Sequence, residues 1–158
     1  KEVGHGISFE VASALRGTSI KAIDVQGAGG TSWTAVDALR HKEGFGLIFR
    51  DFGLPTAVSL IETKTALSGT DKKVIASGGI RNGLEAVKAL VLGADLCGNA
   101  LPLLKVQQKK GTKGVREYLL NFKKEMQITS FLIGCKDINE IHSEKALLLG
   151  KLRDWVKE

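Results

Sequence analysis

The residues best placed for chemistry are glycines that follow short apolar runs. Val74-Ile75-Ala76-Ser77-Gly78-Gly79-Ile80-Arg81 is followed by Gly93-Ala94-Asp95 and then by Gly98-Asn99-Ala100-Leu101. Behind a strand, paired glycines let consecutive main-chain N–H groups converge on an anion with no Cβ in the way, and a helix starting there adds its positive end. A second loop, after the neighbouring strand, closes on the same anion from the other side. Each loop alone reads equally well as a tight turn or a helix stop. The two at this spacing point to a bound phosphate.

A second glycine run is Asp24-Val25-Gln26-Gly27-Ala28-Gly29-Gly30-Thr31-Ser32-Trp33. It is neither GxGxxG, because position 32 is Ser, nor a P-loop, because no Lys follows at the required place. Glycines followed by hydroxyls suit a loop that folds over a flat ring, with Thr31 and Gln26 offering hydrogen bonds; a plain glycine loop is the other reading. Lys1 stands at the end of the expected first strand, where its ammonium would point into the same mouth and stabilise negative charge on an electron-rich ring or a phosphate. An exposed terminal lysine is the plainer alternative. His5, His41 and His142 have no carboxylate or Cys partner at a recognisable spacing. No Ser-His-Asp or Cys-His set and no carboxylate cluster for a metal is visible, so no residue is assigned as catalytic or metal-binding.

Holding such loops requires strands that all end on one side. The chain alternates short apolar runs with helical patterns, as βα units do. Strands are expected at residues 1–3, 20–25, 73–76 and 95–98. Helices are expected at 8–16 behind the cap Ser8, at 56–67 behind Pro55, at 84–92 behind the cap Asn82, at 114–131 and at 138–157. Residues 31–54 read as two short helices around a loop at 42–46. Four strand–helix units of roughly 35–40 residues make half of a (β/α)8 barrel, which needs about 250 residues. A flavodoxin-like open sheet competes, but glycines behind three strands favour the barrel, whose strands all open onto one ligand face. In such barrels the loops after the last two strands recurrently hold phosphate.

Composition supports one α/β domain over residues 1–158. Apolar residues make 43% of the chain and charged ones 25%, which excludes disorder and fibrous structure. Gly is 19 of 158 while Pro is only 2. The excess therefore marks tight backbone turns rather than low complexity. The net charge is +6, with Lys105, Lys109, Lys110, Lys113 and Arg116 crowding one segment and Lys123 and Lys124 beyond it. No aromatic interleaves the first cluster, so a solvated helix face is expected rather than a nucleic-acid surface. Cys97 and Cys135 form no metal or disulfide pattern, which fits a reducing cytoplasm. No apolar run spans a membrane. The chain opens at Lys1-Glu2-Val3-Gly4 without Met or a preceding turn signal, as a fragment cut at the end of a strand would.

Taken in order, Lys1-Glu2-Val3-Gly4, Asp24 to Trp33, Gly53-Leu54-Pro55-Thr56, Ala76 to Arg81 and Asn99-Ala100-Leu101-Pro102 resemble the C-terminal half of the type 2 isopentenyl diphosphate isomerases over residues 1 to about 135. The Ser-Gly-Gly loop is common to FMN barrels, whereas Gly27 to Trp33 and the Ala-Leu-Pro ending are more particular to the isomerases. The resemblance implies the C-terminal half of a TIM (β/α)8 barrel in which FMN is contacted by Lys1, Thr31, Gly79, Ile80, Arg81, Ala100 and Leu101. It departs at Gln26, where the family often has Ser, and at Asn99, where an apolar residue is usual. It further implies interconversion of isopentenyl and dimethylallyl diphosphate by reduced FMN, Mg2+ on the isoprenoid diphosphate, NADPH as flavin reductant, a homo-oligomer and a cytoplasmic location. Neither a nucleic acid nor a membrane is an expected partner. The metal carboxylate and most substrate contacts would lie in a missing N-terminal half-barrel, without which this piece would be inactive. Two alternatives remain: another FMN-dependent barrel oxidoreductase, which would need a His beside Arg81, and a half-barrel that binds a phosphate ligand without turnover.

Overall fold

A computed structural model describes residues 1–41 and 44–156. In chain order the elements are α1 (Phe9–Leu15), β1 (Ala22–Asp24), α2 (Trp33–His41), a 3-10 helix (Gly44–Phe49), α3 (Thr56–Ala66), β2 (Lys73–Ala76), α4 (Gly83–Val91), β3 (Leu96–Cys97), α5 (Leu101–Leu132), α6 (Ile138–Ser143) and α7 (Lys151–Trp155). The three strands form one parallel sheet in the order β1-β2-β3. A strand–helix–strand alternation leads to this arrangement, because parallel neighbours need a crossover of helical length.

Strand alternation decides which side is core. Ile23, Val25, Val74 and Ala76 are buried in one cluster with Ala12 of α1, Leu60 and Ala66 of α3, and Ala86 and Ala89 of α4. The alternate residues Ala22, Asp24, Lys73, Ile75 and Leu96 take the opposite face, which is open enough to leave Leu96 59% exposed. A single sheet face packed by helices is half of the two-sided burial that a parallel sheet ordinarily has.

Local signals place most boundaries. Ser8 caps α1 by accepting the Val11 N–H, and Asn82 caps α4 by accepting the Glu85 N–H at 2.9 Å. Pro55, with φ fixed at −52°, leads into α3. The expected strand at 73–76 matches β2.

The departures have identifiable causes. Residues 1–3 give a single sheet-like bond, Glu2 N–H to the Asp24 carbonyl at 3.0 Å. Beyond it the Glu2 carboxylate draws in the N–H groups of Gly4 and His5 at 2.5 and 2.6 Å and bends the chain out of the ladder. The strand expected from residue 20 starts at Ala22, because the Lys72 ammonium holds the Thr18 and Ile20 carbonyls at 2.6 and 2.7 Å in a loop. The last strand shortens to Leu96–Cys97, although Asp95 and Gly98 still donate to the Val74 and Ala76 carbonyls, each at 2.8 Å.

The long helix starts at Leu101, thirteen residues before the expected 114, since a proline in the first turn costs no hydrogen bond. Gly111, at φ 59° and ψ −157°, interrupts it. The expected helix at 138–157 is two short ones, separated by extended Glu144 and by Gly150 at φ 55°. The excursion at 31–54 holds the two short helices expected there, but Gly44 to Gly46, expected in the loop between them, already belong to the 3-10 helix. Lys42 and Glu43 in the expected loop and Lys157 in the expected last helix lie outside the described residues.

Candidate functional site

The loops after β1, β2 and β3 follow the C-terminal ends of parallel neighbours, so they open at one end of the sheet. Direct contacts weld them together. Gly27 donates its N–H to the Ser77 carbonyl at 3.1 Å, and Thr56 Oγ1 donates to the Gly78 carbonyl at 2.5 Å. The Arg81 guanidinium donates from Nη1 to the Gly79 carbonyl and from Nη2 to the Gly29 carbonyl, both at 2.8 Å. Gly79 has φ 89°, and a Cβ there would overlap the Gly29 carbonyl. A Cβ on Gly98 would come within 2.9 Å of Ser77 Cβ. The structure therefore brings Gly79, Ile80 and Arg81 beside the segment that runs into Ala100 and Leu101.

This end carries unpaired donors. The main-chain N–H groups of Gly79, Ile80, Ala100 and Leu101 have no hydrogen-bond partner among the described residues. Buried N–H groups are rarely left unpaired, and the exposed ones of Ala100 and Leu101, at a helix start, are open to water or to a ligand. The Ile80 side chain is 7% exposed and packed in the core, so that residue can face a ligand only through its main chain.

The positive end of α4 is not free to join them. Glu85 accepts the Arg81 N–H at 2.6 Å, and Glu125 of α5 accepts the Gly83 N–H at 2.7 Å. With Asn82 as cap, three side chains of the chain itself take the N–H groups of Arg81, Gly83 and Glu85, contrary to the expectation that this helix end would serve an anion. The exposed start of α5, where Ala100 makes no side-chain cap, offers its end instead.

Lys1 and Thr31 make separate contacts, Lys1 with the end of β1 and Thr31 with Gly4. The Lys1 ammonium pairs with Asp24 Oδ2 at 2.8 Å and donates to Gln26 Oε1. Asp24 Oδ1 in turn accepts Ser77 Oγ at 2.5 Å and the Gln26 N–H at 3.4 Å. Gln26, with φ 26°, is thus committed to Lys1, whereas the sequence offered it as a hydrogen bonder to a ring. The Thr31 carbonyl stands 2.7 Å from where a Cβ on Gly4 would be, which sets Thr31 against the segment behind Lys1.

Sequence reasoning missed several residues that build this end. Tyr118 of α5 accepts from Asn99 Nδ2 and donates to the Arg81 carbonyl, each at 2.7 Å. Glu85, three residues after the cap Asn82, carried a legible capping spacing. Tyr118 and Glu125 carried none. The basic residues of α5, from Lys105 to Lys124, are exposed, as expected of a solvated face.

The histidines form no catalytic set. His5 packs tilted against Phe52 with centroids 6.1 Å apart and its Nε2 buried without a partner among the described residues, His41 faces Asp37, and His142 meets the Ala94 carbonyl. Among the described residues no group of three His, Cys, Asp or Glu could hold a metal ion, and no helix is long and apolar enough to cross a membrane. A cavity of about 550 Å³, lined by Met126, Phe131, Cys135 and Ile141 among others, lies between α5 and α6 and not at the glycine loops.

Residues 49–148 match the family described as FMN-dependent dehydrogenase. Isopentenyl-diphosphate delta-isomerases from Methanococcus aeolicus, Methanopyrus kandleri and Methanococcus maripaludis are 39%, 38% and 42% identical over 99%, 99% and 98% of the chain. The chain spans 44% of the length of each. Among solved structures, a Pediococcus acidilactici lactate oxidase superposes with a TM-score of 0.71 at 24% identity, over 89% of this chain and 34% of that one. A mandelate oxidase gives 0.57 at 24% identity, over 87% and 43%. Both likenesses concern the fold.

Proposed function

The chain belongs to the FMN-dependent dehydrogenase family, and we propose that it is the C-terminal half of a (β/α)8 barrel that interconverts isopentenyl and dimethylallyl diphosphate, carrying most of the FMN phosphate site. The observation that carries the reading is the set of unpaired main-chain donors at Gly79, Ile80, Ala100 and Leu101, gathered at one end of a parallel sheet. Those donors fit a phosphate dianion, which needs several N–H groups and tolerates no carboxylate among them.

FMN, when bound, would supply the proton-transfer chemistry of the allylic rearrangement. The chain's own part is binding and orientation. The amides of Gly79, Ile80, Ala100 and Leu101 hold the phosphate, with the Arg81 guanidinium locking the two glycine loops beneath it. Lys1, fixed by Asp24 and Gln26, would offer its ammonium to stabilise negative charge on the ring.

The remaining parts belong outside these residues. With no metal cluster among the described residues, Mg2+ on the substrate diphosphate would be held by the N-terminal half-barrel. That half would also cover the open sheet face of Asp24, Ile75 and Leu96. NADPH would reduce the flavin, in a cytoplasmic homo-oligomer. The unpaired thiols Cys97 and Cys135 suit such a compartment.

The test supplies the chain with the N-terminal part of the Methanococcus aeolicus relative, the part to which it does not align. A bound-flavin spectrum with conversion of isopentenyl diphosphate is expected. Bound flavin without turnover would leave a binding module, and no bound flavin would overturn the phosphate site.

A further inference from the structure

Tyr118 reaches the candidate phosphate loops from a distant point of the chain. Its hydroxyl accepts from Asn99 Nδ2 at 2.7 Å and donates to the Arg81 carbonyl at 2.7 Å. Asn99 immediately precedes Ala100, and Arg81 follows Gly79 and Ile80, so one phenol joins both amide-bearing loops. A hydroxyl has a single proton. Because Asn99 donates to the phenol oxygen, that proton is directed to Arg81. The opposite end of the Asn99 amide, Oδ1, is buried with no partner. Among the described residues Tyr118 is thus the one hydrogen-bond partner of the Asn99 amide.

We propose that Tyr118, oriented by Asn99, is a positioning residue that sets the spacing between the Gly79–Arg81 and Asn99–Leu101 loops and so tunes the site for the flavin's phosphate. This inference rests on the FMN reading above. Burial raises the Tyr118 hydroxyl pKa above its ordinary value, and the nearby carboxylates of Glu125 and Glu85 add to the rise while the Asn99 bond opposes it. The proton offered to Arg81 is therefore retained at neutral pH. The ring itself packs against Phe122 with centroids 6.2 Å apart, so its removal and the removal of its hydroxyl are separable.

The experiment compares FMN with riboflavin, which lacks the phosphate, by flavin fluorescence in the chain supplied with the same N-terminal part. Tyr118→Phe keeps the ring. It is expected to weaken FMN about tenfold, the scale of one directed hydrogen bond, and to leave riboflavin unchanged. Asn99→Leu leaves the Tyr118 ring and hydroxyl in place and is expected to weaken FMN roughly threefold with the same selectivity, so it carries the test if Tyr118→Phe fails to fold. Equal losses for FMN and riboflavin, or no loss for either, would overturn the positioning role. An unsubstituted protein that binds the two flavins equally would overturn the phosphate site itself. Strong selectivity left intact in both variants would overturn only the inference about Tyr118.

Discussion

The Ser77 hydroxyl donates to the Asp24 carboxylate at 2.5 Å, so the end of β2 is tied to the end of β1 by side chains. The other carboxylate oxygen takes the Lys1 ammonium at 2.8 Å. The two links differ in worth. The Lys1 side chain is 55% exposed and that of Asp24 16%, and ion pairs reaching into water contribute little, so Lys1→Met should cost about 0–1 kcal/mol. Asp24→Ala strands the buried Ser77 hydroxyl and the Gln26 N–H and should cost roughly 1–3 kcal/mol. Urea unfolding of both variants checks the order. Equal losses would put the energy in the ion pair.

Gly79 is constrained twice, by φ 89° and by the Gly29 carbonyl facing it. Gly69 shares the first constraint, at φ 76°, but a Cβ there would meet only the end of Arg16 at 3.5 Å. Gly69→Ala should therefore show the backbone strain alone, of about 1–3 kcal/mol, and Gly79→Ala a larger loss. Flavin retention separates them further, since only the Gly79 variant displaces a loop of the candidate site. Gly79→Asp should abolish FMN binding, because it adds a carboxylate beside the phosphate. Unchanged flavin affinity in that variant would remove Gly79 from the site.

What could be read in advance divides along sequence distance. Ser8 and Asn82 announce their helices within three residues, and β2 is bounded by Lys73 and the glycines behind Ala76. The glycine loops were legible for the same reason. The residues that fix those loops were not. Lys1 pairs with Asp24 across 23 positions, Tyr118 with Arg81 across 37, and Glu125 with Gly83 across 42. No local pattern encodes such contacts, and the last two exist only once α5 has folded back over α4. The same folding explains the misjudged phosphate donors. A helix start looks free in the sequence until the carboxylate that satisfies it arrives from another element.

Glu2 gives the fold a pH dependence of definite sign. Burial raises its pKa, but the N–H groups of Gly4, His5, Gly6 and Val3 outweigh that and hold the carboxyl below its ordinary value of 4.5. Since the folded pKa lies below the unfolded one, the unfolded chain takes up the proton first as pH falls. The contribution is complete above about pH 4.5 and disappears as pH drops through the lowered value. Asp95 acts in the same direction from its ordinary value of 3.8: burial raises it, and the Val74 N–H with Lys73 and Lys64 lowers it further. Glu2→Gln should flatten the acid limb of stability without changing the neutral plateau's dependence on pH. An acid limb as steep as that of the unsubstituted chain would mean that Glu2 is not held by those amides.

Cys97 reports on the packing directly behind the loop of β3. Its thiol donates to the Ala86 carbonyl of α4 at 3.5 Å, and burial pushes its pKa up to about 11. At pH 8 only about one such thiol in a thousand is ionised, against roughly a quarter of an exposed thiol with a pKa near 8.5. In Cys135→Ser, where Cys97 is the sole thiol, disulfide reagents should thus react at least about a hundredfold more slowly with the folded chain than in urea. The folded rate should keep climbing about tenfold per pH unit beyond pH 9. A rate that levelled off near pH 8.5 would mean that water reaches the seam between α4 and β3. A seam that open would loosen the packing of Gly98 against Ser77, the contact that sets the two loops credited with the phosphate side by side.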